Sequence, residues 1–276
     1  MTTAILFGLI SAITWGAGDF SGGMAVKRSN PYGVVISAHV VSLTLLSLLA
    51  TIIGEPVPPL RDWLWGAAAG LGGGMGLAML YSALASGQMS VAAPVSALVA
   101  AALPVLVGVV SEGIPGWGTM AGFGLALAAV WLVSGGTGVD FHFGPLRLPL
   151  LAGLSFGAFF IFLHEGSSLS VLWPTAATRI ASIISLSIFS AATHQPWIPK
   201  RESLLPILAS SILDTAGNVF YALSARSGRM DVAAVLGSLY PGSTVILAWF
   251  VLKERITRWQ MVGILVALVA IVLITI

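Results

Sequence analysis

Long apolar runs, interrupted by short clusters of glycine, proline and charged residues, make up most of the chain. Several of these runs, such as 31–53 and 259–276, carry no charge and are close to the roughly 20 residues that a helix needs to cross a bilayer. They do not alternate apolar with polar residues, as the strands of a membrane barrel would. Breaks at the polar clusters therefore predict ten membrane helices and an all-α fold. The predicted helices are 3–24, 33–53, 64–86, 91–110, 117–134, 148–166, 171–192, 204–225, 231–251 and 258–276.

Composition narrows the class of protein. Hydrophobic residues make up 57% of the 276 residues, charged residues only 8%, and the mean hydropathy is +1.00. These values are typical of a multi-pass membrane protein, which we expect in the inner membrane. The chain has no cysteine, which excludes a disulfide framework and thiol nucleophiles. The glycine-rich segment 70–76 lacks the Lys-Ser/Thr ending of a phosphate loop, and the sequence offers no cluster of metal ligands, so we expect no cofactor.

The two halves of the chain resemble each other. The segment GRMDVAAV at 228–235 repeats GQMSVAAP at 87–94 with an offset of 141 residues, and the same offset places Phe156-Gly157-Ala158 on Trp15-Gly16-Ala17. We therefore predict two repeats, 1–140 and 141–276, of five helices each. Because five is an odd number, the second repeat enters the membrane from the opposite side, which is the inverted arrangement used by many transporters.

Polar residues inside the eighth predicted helix share one face. Ser211, Asp214, Asn218 and Tyr221 are spaced three or four residues apart, so they form a single stripe. A charge in the middle of a membrane helix costs about 2.5–3.5 kcal/mol on insertion scales, so this stripe must face the protein interior. Two interpretations remain open: the stripe lines a cavity, or it supplies hydrogen bonds between helices.

Weaker stripes occur on the first and third helices. Ser11, Trp15 and Asp19 follow each other at four-residue spacing, and Met75, Met79 and Ser82 lie along one face next to Tyr81. Trp15 is a candidate wall for a small substrate, although large side chains also fill ordinary helix seams. Methionines adapt to varied apolar ligands and equally to irregular gaps. Asp19 lies near a helix end, where solvation at the interface is an alternative.

Arg179 lies well inside the seventh predicted helix. A buried guanidinium needs a carboxylate or carbonyl partner, and Asp214 and Glu165 are the candidates for a static ion pair. His39 lies one position from the residue that matches Arg179 in the first repeat. His164 and Glu165 close the sixth helix and form either a proton-responsive pair or a solvated helix end.

Several residues carry a resemblance to a known family. They are Trp15-Gly16, Leu239-Tyr240-Pro241 and the segment LKERIT at 252–257, followed by Gly263 in the last helix. With these the chain resembles the drug/metabolite transporter superfamily, in its ten-helix EamA-domain branch. The resemblance implies outward transport of small metabolites, often amino acids, through a cavity lined by helices 1, 3, 4, 6, 8 and 9. The first repeat departs from the pattern, because Ser111-Glu112 replaces the Lys-Glu pair and Pro104 is displaced relative to Pro241.

These features predict a secondary transporter that exports amino acids or similar small metabolites by alternating access. Efflux of apolar drugs or nucleoside-like metabolites is the alternative. The candidate substrate-binding residues are Trp15, Met79, Tyr81, Ser82, Asp214, Asn218, Tyr221 and Tyr240. The string Gly16-Ala17-Gly18-Asp19 resembles one in intramembrane aspartyl proteases, but four residues in a glycine-rich chain are a weak match, so we expect no enzyme. We expect a small-molecule substrate and membrane lipid as partners, no nucleic acid, and a monomer.

The orientation of the chain is ambiguous. Ten helices place both ends on one side, where only Arg61, Arg226 and Arg229 lie, whereas eight Lys and Arg residues lie on the opposite side. The positive-inside rule therefore places the ends outside the cytoplasm. Members of the family are usually described with their ends in the cytoplasm, so the two criteria disagree.

Overall fold

The structure, a computed structural model, describes residues 2–85, 89–133, 143–253 and 257–275, and side chains within 2–83, 95–133, 147–253 and 257–274. These ranges contain eleven α-helices, a short 3₁₀ turn at Arg201–Ser203, and no strand. The α-helices are α1 Thr2–Val26, α2 Pro31–Ile52, α3 Leu60–Ala85, α4 Met89–Glu112, α5 Trp117–Val133, α6 Phe143–Gly166, α7 Leu172–Ala192, α8 Leu204–Ser227, α9 Met230–Gly237, α10 Tyr240–Leu252 and α11 Arg258–Thr275.

The predicted fold class is confirmed. The protein is an all-α membrane protein of ten membrane helices, arranged as two inverted five-helix repeats. Within the described residues, eight spans are long and apolar enough to cross a membrane, and the segment from α9 to α10 counts as one of them. The remaining two helices, α5 and α11, are shorter and also apolar.

The ninth predicted helix is interrupted, which the apolar pattern did not predict. It ends as α9 at Gly237 and resumes as α10 at Tyr240. Pro241 has no N–H group, so it cannot donate a helical hydrogen bond to the carbonyl four residues earlier. The backbone tightens instead, because Leu239 N–H bonds Leu236 O at 3.1 Å and Gly242 N–H bonds Leu239 O at 3.0 Å. A discontinuous helix of this kind is a feature of transporter binding sites.

The helices of one repeat pack mainly against helices of the other. Helix α1 lies along α8 just as α6 lies along α3, and α1 contacts α10 just as α6 contacts α4. Helices α2 and α7 pair with each other, as do α5 and α11. Exchanging the two repeats therefore preserves the packing. The buried core lies between the repeats, so any central site must take residues from both of them.

Connections on the two sides of the membrane dock in a mirrored way. On the side of the chain ends, the Glu55 carboxylate of the α2–α3 loop accepts hydrogen bonds from the backbone N–H groups of 171–173 at 2.8–3.3 Å. On the opposite side, the α7–α8 loop reaches the α1–α2 turn. There Lys200 N–H and the Ser203 hydroxyl contact Ser29 Oγ at 2.9 and 2.8 Å. Equivalent loops thus close on opposite sides.

Candidate functional site

A cavity of about 60 Å³ lies between the repeats and receives side chains from eight helices. It is lined by Trp15 and Asp19 of α1, His39 of α2, Gly73 and Leu77 of α3, Ala100 of α4, Phe156, Phe159 and Phe160 of α6, Arg179 of α7, Asp214 and Asn218 of α8, and Tyr240 of α10. Pockets that hold small molecules usually measure about 300–1,000 Å³. The cavity must therefore widen before it can hold a metabolite.

An ion pair forms the polar end of the cavity. Arg179 Nη2 donates to Asp214 Oδ2 at 2.7 Å, and the two side chains are 5% and 23% exposed. Arg179 Nε also donates to Ser42 Oγ at 2.9 Å. Asn218 Nδ2 donates to the same Asp214 oxygen at 3.1 Å. The Asp214 carboxylate is thus held by a cation and an amide, which is the arrangement that makes a buried charge tolerable.

The hydrogen bonds of His39 fix its tautomer. Arg179 Nη1 lies 2.9 Å from His39 Nε2, and a guanidinium can only donate. His39 Nε2 must therefore accept and carry no proton. The other ring nitrogen, Nδ1, lies 2.7 Å from Ser182 Oγ and carries the hydrogen that it donates there. His39 is neutral in this arrangement and adds no charge to the cavity.

Aromatic rings form another part of the cavity wall. Trp15 stacks on Phe160 with ring centroids 5.4 Å apart and an interplanar angle of 26°. Tyr221 stacks behind both rings, at 5.7 Å from Trp15 and 4.7 Å from Phe160. Its hydroxyl donates to the Phe160 carbonyl at 2.8 Å. Tyr221 is fully buried, so it supports the wall from behind rather than lining the cavity.

The lining follows the internal repeat. The 141-residue offset relates Trp15 to Phe156, Asp19 to Phe160, Asp214 to Gly73 and Asn218 to Leu77, and all eight residues line the cavity. In three of these four pairs one member is polar and its counterpart is apolar or glycine. The same backbone frame thus builds two different halves: a polar half, in which α1, α2, α7 and α8 contribute charged, imidazole and amide side chains, and an apolar half, in which α3, α4 and α6 contribute only apolar side chains and glycine and Trp15 of α1 joins them.

Comparisons with known proteins give the family. The sequence profile of the EamA-like transporter family matches residues 2–135 and 146–276, once for each repeat. This chain belongs to the EamA-like transporter family. An uncharacterized protein of Methanocaldococcus jannaschii is 26% identical over 129 residues, which cover 47% of this chain and 94% of that protein. A crystal structure titled only as that of a protein superposes with a TM-score of 0.79 at 15% identity, covering 99% of this chain and 96% of that one. The latter shows a shared fold.

The EamA resemblance implied a cavity lined by helices 1, 3, 4, 6, 8 and 9. The structure has all six of these helices at the cavity, the ninth through Tyr240 of α10, and adds α2 and α7 through His39 and Arg179. Four of the eight candidate substrate-binding residues line it: Trp15, Asp214, Asn218 and Tyr240. Tyr221 lies behind the aromatic wall, as described above.

The candidates on α3 lie outside the cavity lining. Tyr81 is 2% exposed and its hydroxyl lies 3.4 Å from Ser210 Oγ. Any side chain at Gly22 would overlap this hydroxyl, so the glycine allows α1 to approach α3. Ser82 donates to the carbonyl of Ala78 in its own helix at 2.7 Å. Met79 packs, partly buried, against a neighbouring apolar cluster.

The structure also distinguishes the two candidate partners of Arg179. Glu165 pairs instead with Arg61 at 3.3 Å, and these side chains are 42% and 70% exposed. Buried His164 Nδ1 has no hydrogen-bond partner among the described residues. Arg179 therefore pairs with Asp214 and not with Glu165.

Sequence reasoning missed the apolar half of the cavity. It is lined by Phe156, Phe159, Phe160, Leu77 and Ala100. The hydropathy pattern does not distinguish these residues from the other apolar residues of the same helices. The repeat did contain a signal. The offset that matches Trp15 with Phe156 also matches the stripe positions of α8 with residues of α3, so each polar candidate indicated an apolar counterpart.

Proposed function

We propose that the protein is an inner-membrane secondary transporter that exports amino acids or similar small metabolites by alternating access. The observation that carries this proposal is the cavity divided into a polar and an apolar half. A molecule with a charged head and an apolar side chain is complementary to both halves. The polar half offers both signs of charge in Asp19, Asp214 and Arg179, so a zwitterionic head fits it better than a purely apolar drug does.

Alternating access is supported by the arrangement of the repeats. The cavity lies between two inverted repeats, equivalent loops dock on opposite sides, and its volume of about 60 Å³ is too small for a metabolite in this conformation. Rocking of one repeat against the other would enlarge the cavity toward each side in turn. The interruption between α9 and α10 lies at the cavity wall, because Tyr240, the first residue of α10, lines the cavity. A change in backbone direction at this point does not break a continuous helix.

The experiment is transport by the purified protein reconstituted in liposomes. We expect labelled leucine and phenylalanine to cross the membrane unchanged, and unlabelled amino acids with apolar side chains to compete. Asn218→Leu, which introduces the residue of its repeat counterpart Leu77, should reduce this transport. A matched change on the lipid-facing surface, Ile184→Leu, should not, because Ile184 is 55% exposed.

Repeating the measurement with and without a pH gradient separates proton-coupled from facilitated transport. Movement of an apolar dye or a nucleoside, together with no movement of any amino acid, would replace the proposal by the alternative of drug or nucleoside efflux. Hydrolysis of a peptide in place of transport would contradict both.

A further inference from the structure

Asp19 is the one charged side chain of the described cavity lining that has no opposite charge beside it. Among the described residues, none donates a hydrogen bond to its carboxylate or pairs with it. Asp214 is different, because it already accepts from Arg179 and Asn218. The carboxylate of Asp19 is therefore the free acceptor of the cavity.

The packing of α1 explains why this carboxylate faces the cavity. At Gly18 the backbone of α8 comes so close that a Cβ atom would lie 3.2 Å from Asp214 N. At Gly22 the Tyr81 hydroxyl occupies the space of a side chain. Neighbouring helices thus pack closely against α1 one residue before and three residues after Asp19, and the Asp19 side chain lies in the lining of the cavity between the repeats.

The described cavity lining holds two carboxyl groups, Asp19 and Asp214, and one guanidinium, that of Arg179. Arg179 and Asp214 cancel as an ion pair, and His39 is neutral because its Nε2 accepts from Arg179. The carboxyl group of Asp19 is left without a cation among the described lining residues. An uncompensated carboxylate inside a membrane protein is costly, so a positive charge that enters the cavity is stabilised there.

The surroundings of Asp19 favour an organic cation over a metal ion. The described residues contain no group of three or more His, Asp or Glu side chains that could hold a metal. One helical turn away, Trp15 lies on the same face of α1, stacked on Phe160, and both rings line the cavity. Aromatic faces attract ammonium groups through cation–π interactions, whereas a metal ion prefers several oxygen ligands.

We propose that Asp19 is the subsite for the ammonium group of the substrate, and that the aromatic wall of Trp15 and Phe160 receives the adjoining carbon chain. The inference rests on the proposed transport function and narrows its substrates to primary amines with an apolar tail, whether cationic or zwitterionic. Anionic and neutral molecules with the same tail lack the group that Asp19 binds.

The test uses four ligands with one tail: phenethylamine, phenylalanine, 3-phenylpropionate and 3-phenylpropanol. Binding to the purified protein in nanodiscs is measured by calorimetry and by the rise in melting temperature that a ligand of the folded state causes. In the wild type we expect the two amines to bind about tenfold or more tightly than the alcohol and the acid. Neither the alcohol nor the acid has an ammonium group, so both lack the charge-assisted hydrogen bond to Asp19.

Asp19→Asn should lower the affinity for both amines by about tenfold or more and leave binding of the alcohol unchanged. Asp62→Asn is the matched control, since Asp62 is a buried carboxylate outside the cavity lining and its contact with Ser168 survives in the amide. Equal affinity of the wild type for amines and alcohol would overturn the proposal, even if Asp19→Asn failed to fold. Equal amine affinity of the wild type and Asp19→Asn would also overturn it.

The proposed function can fail separately. A wild type that binds the amines but moves none of them in liposomes contradicts the transport function and leaves the subsite intact. A wild type that transports phenylalanine and 3-phenylpropionate equally well contradicts the subsite and leaves the transport function intact.

Discussion

At the scale of single residues, the ion pair of Arg179 and Asp214 has the clearest consequence for stability. The guanidinium is almost fully buried and its partners are one carboxylate, one imidazole and one hydroxyl. Removal of one partner from a buried ion pair leaves the other charge uncompensated, which typically costs about 3–5 kcal/mol. Replacement of both charges by neutral groups avoids this cost.

We therefore expect Asp214→Asn to lower the melting temperature clearly, and the double variant Arg179→Met with Asp214→Asn to recover most of the loss. The loss is smaller than for a fully isolated charge, because His39 and Ser42 still accept from Arg179. Thermal unfolding of the wild type, the single variants and the double variant measures the coupling. Simple additivity of the two single effects would show that the ion pair does not stabilise the fold.

The sequence predicted part of this site. Spacing placed Asp214 and Asn218 on one face of a helix, and the cost of a buried charge indicated a partner for Arg179. Spacing could not choose between Asp214 and Glu165, because that choice depends on where helix ends lie in three dimensions. For Asp19, which lies near a helix end, the sequence left solvation at the interface and a functional role both open; in the structure Asp19 lines the cavity.

At the scale of helices, the break between α9 and α10 is held by α1. A Cβ atom at Gly16 would overlap the carbonyl oxygen of Tyr240, and the Thr244 hydroxyl donates to the Gly16 carbonyl at 3.1 Å. Only glycine permits this approach of two backbones. The sequence contained the residues that meet here, Trp15-Gly16 and Tyr240-Pro241. The interruption of the helix was not predicted from them, because the apolar run around Pro241 is continuous.

Gly16→Ala should therefore destabilise the protein by about 1–3 kcal/mol, the usual cost of overpacking. Gly124→Ala is the control, because Gly124 lies in helix α5 with no atom near the position of its Cβ. The control should be neutral or slightly stabilising, since alanine favours a helix more than glycine does. The measurement is the melting temperature of each variant relative to the wild type. Equal changes at the two positions would contradict the close approach at Gly16.

A second contact between helices joins the two repeats on the side of the chain ends. Arg229, before α9, donates to Asp231 Oδ2 at 2.7 Å and to the carbonyls of Gly113 and Glu112 at 2.8 and 3.2 Å. The Glu112 carboxylate in turn accepts from Met230 N–H at 3.3 Å. The hydrogen bond to Asp231 raises the pKa of Arg229 above its ordinary value. The end of α4 and the start of α9 are thus joined across the repeats.

Arg229→Gln should weaken this contact and expose the cavity to the side of the chain ends. The chain has no cysteine, so Ala100→Cys provides a unique label inside the cavity. We expect a membrane-impermeant maleimide, added from that side, to react several-fold faster when Arg229→Gln is present. Arg226→Gln is the control, because among the described residues this exposed arginine donates to a single carbonyl, that of Leu169, at 3.3 Å. Equal rates in all three proteins would show that the contact of Arg229 does not limit access to the cavity.

At the scale of the whole molecule, the inverted repeat explains both the fold and the composition of the cavity. Hydropathy and the 141-residue offset were sufficient to predict ten helices in two repeats. They did not predict which helices meet, because an offset relates positions and says nothing of contacts between them. Because Asp214 corresponds to Gly73 and Asn218 to Leu77, the cavity lining is asymmetric although the backbone frame is symmetric.

The packing between repeats leads to a prediction about the separated halves. The contacts of α1, α3 and α5 with α8, α6 and α11 all cross from one repeat to the other. Residues 1–140 and 141–276, expressed together as two chains, should therefore copurify and bind the same ligands, whereas each half alone should be degraded. The relative from Methanocaldococcus jannaschii matches 129 residues of this chain, which cover 94% of its own length, so a chain of about half this length carries the resemblance.

The control for this assembly is a first half that carries Gly70→Leu. Any side chain at Gly70 would overlap the backbone of Thr178 in α7, which blocks one seam between the repeats and leaves the rest of the half unchanged. Association should then be lost, because a backbone cannot give way as a flexible side chain does. Copurification is measured with a tag on one half only. A half that purifies alone and unfolds cooperatively, or a Gly70→Leu half that still associates, would show that the repeats are independent units rather than two parts of one core.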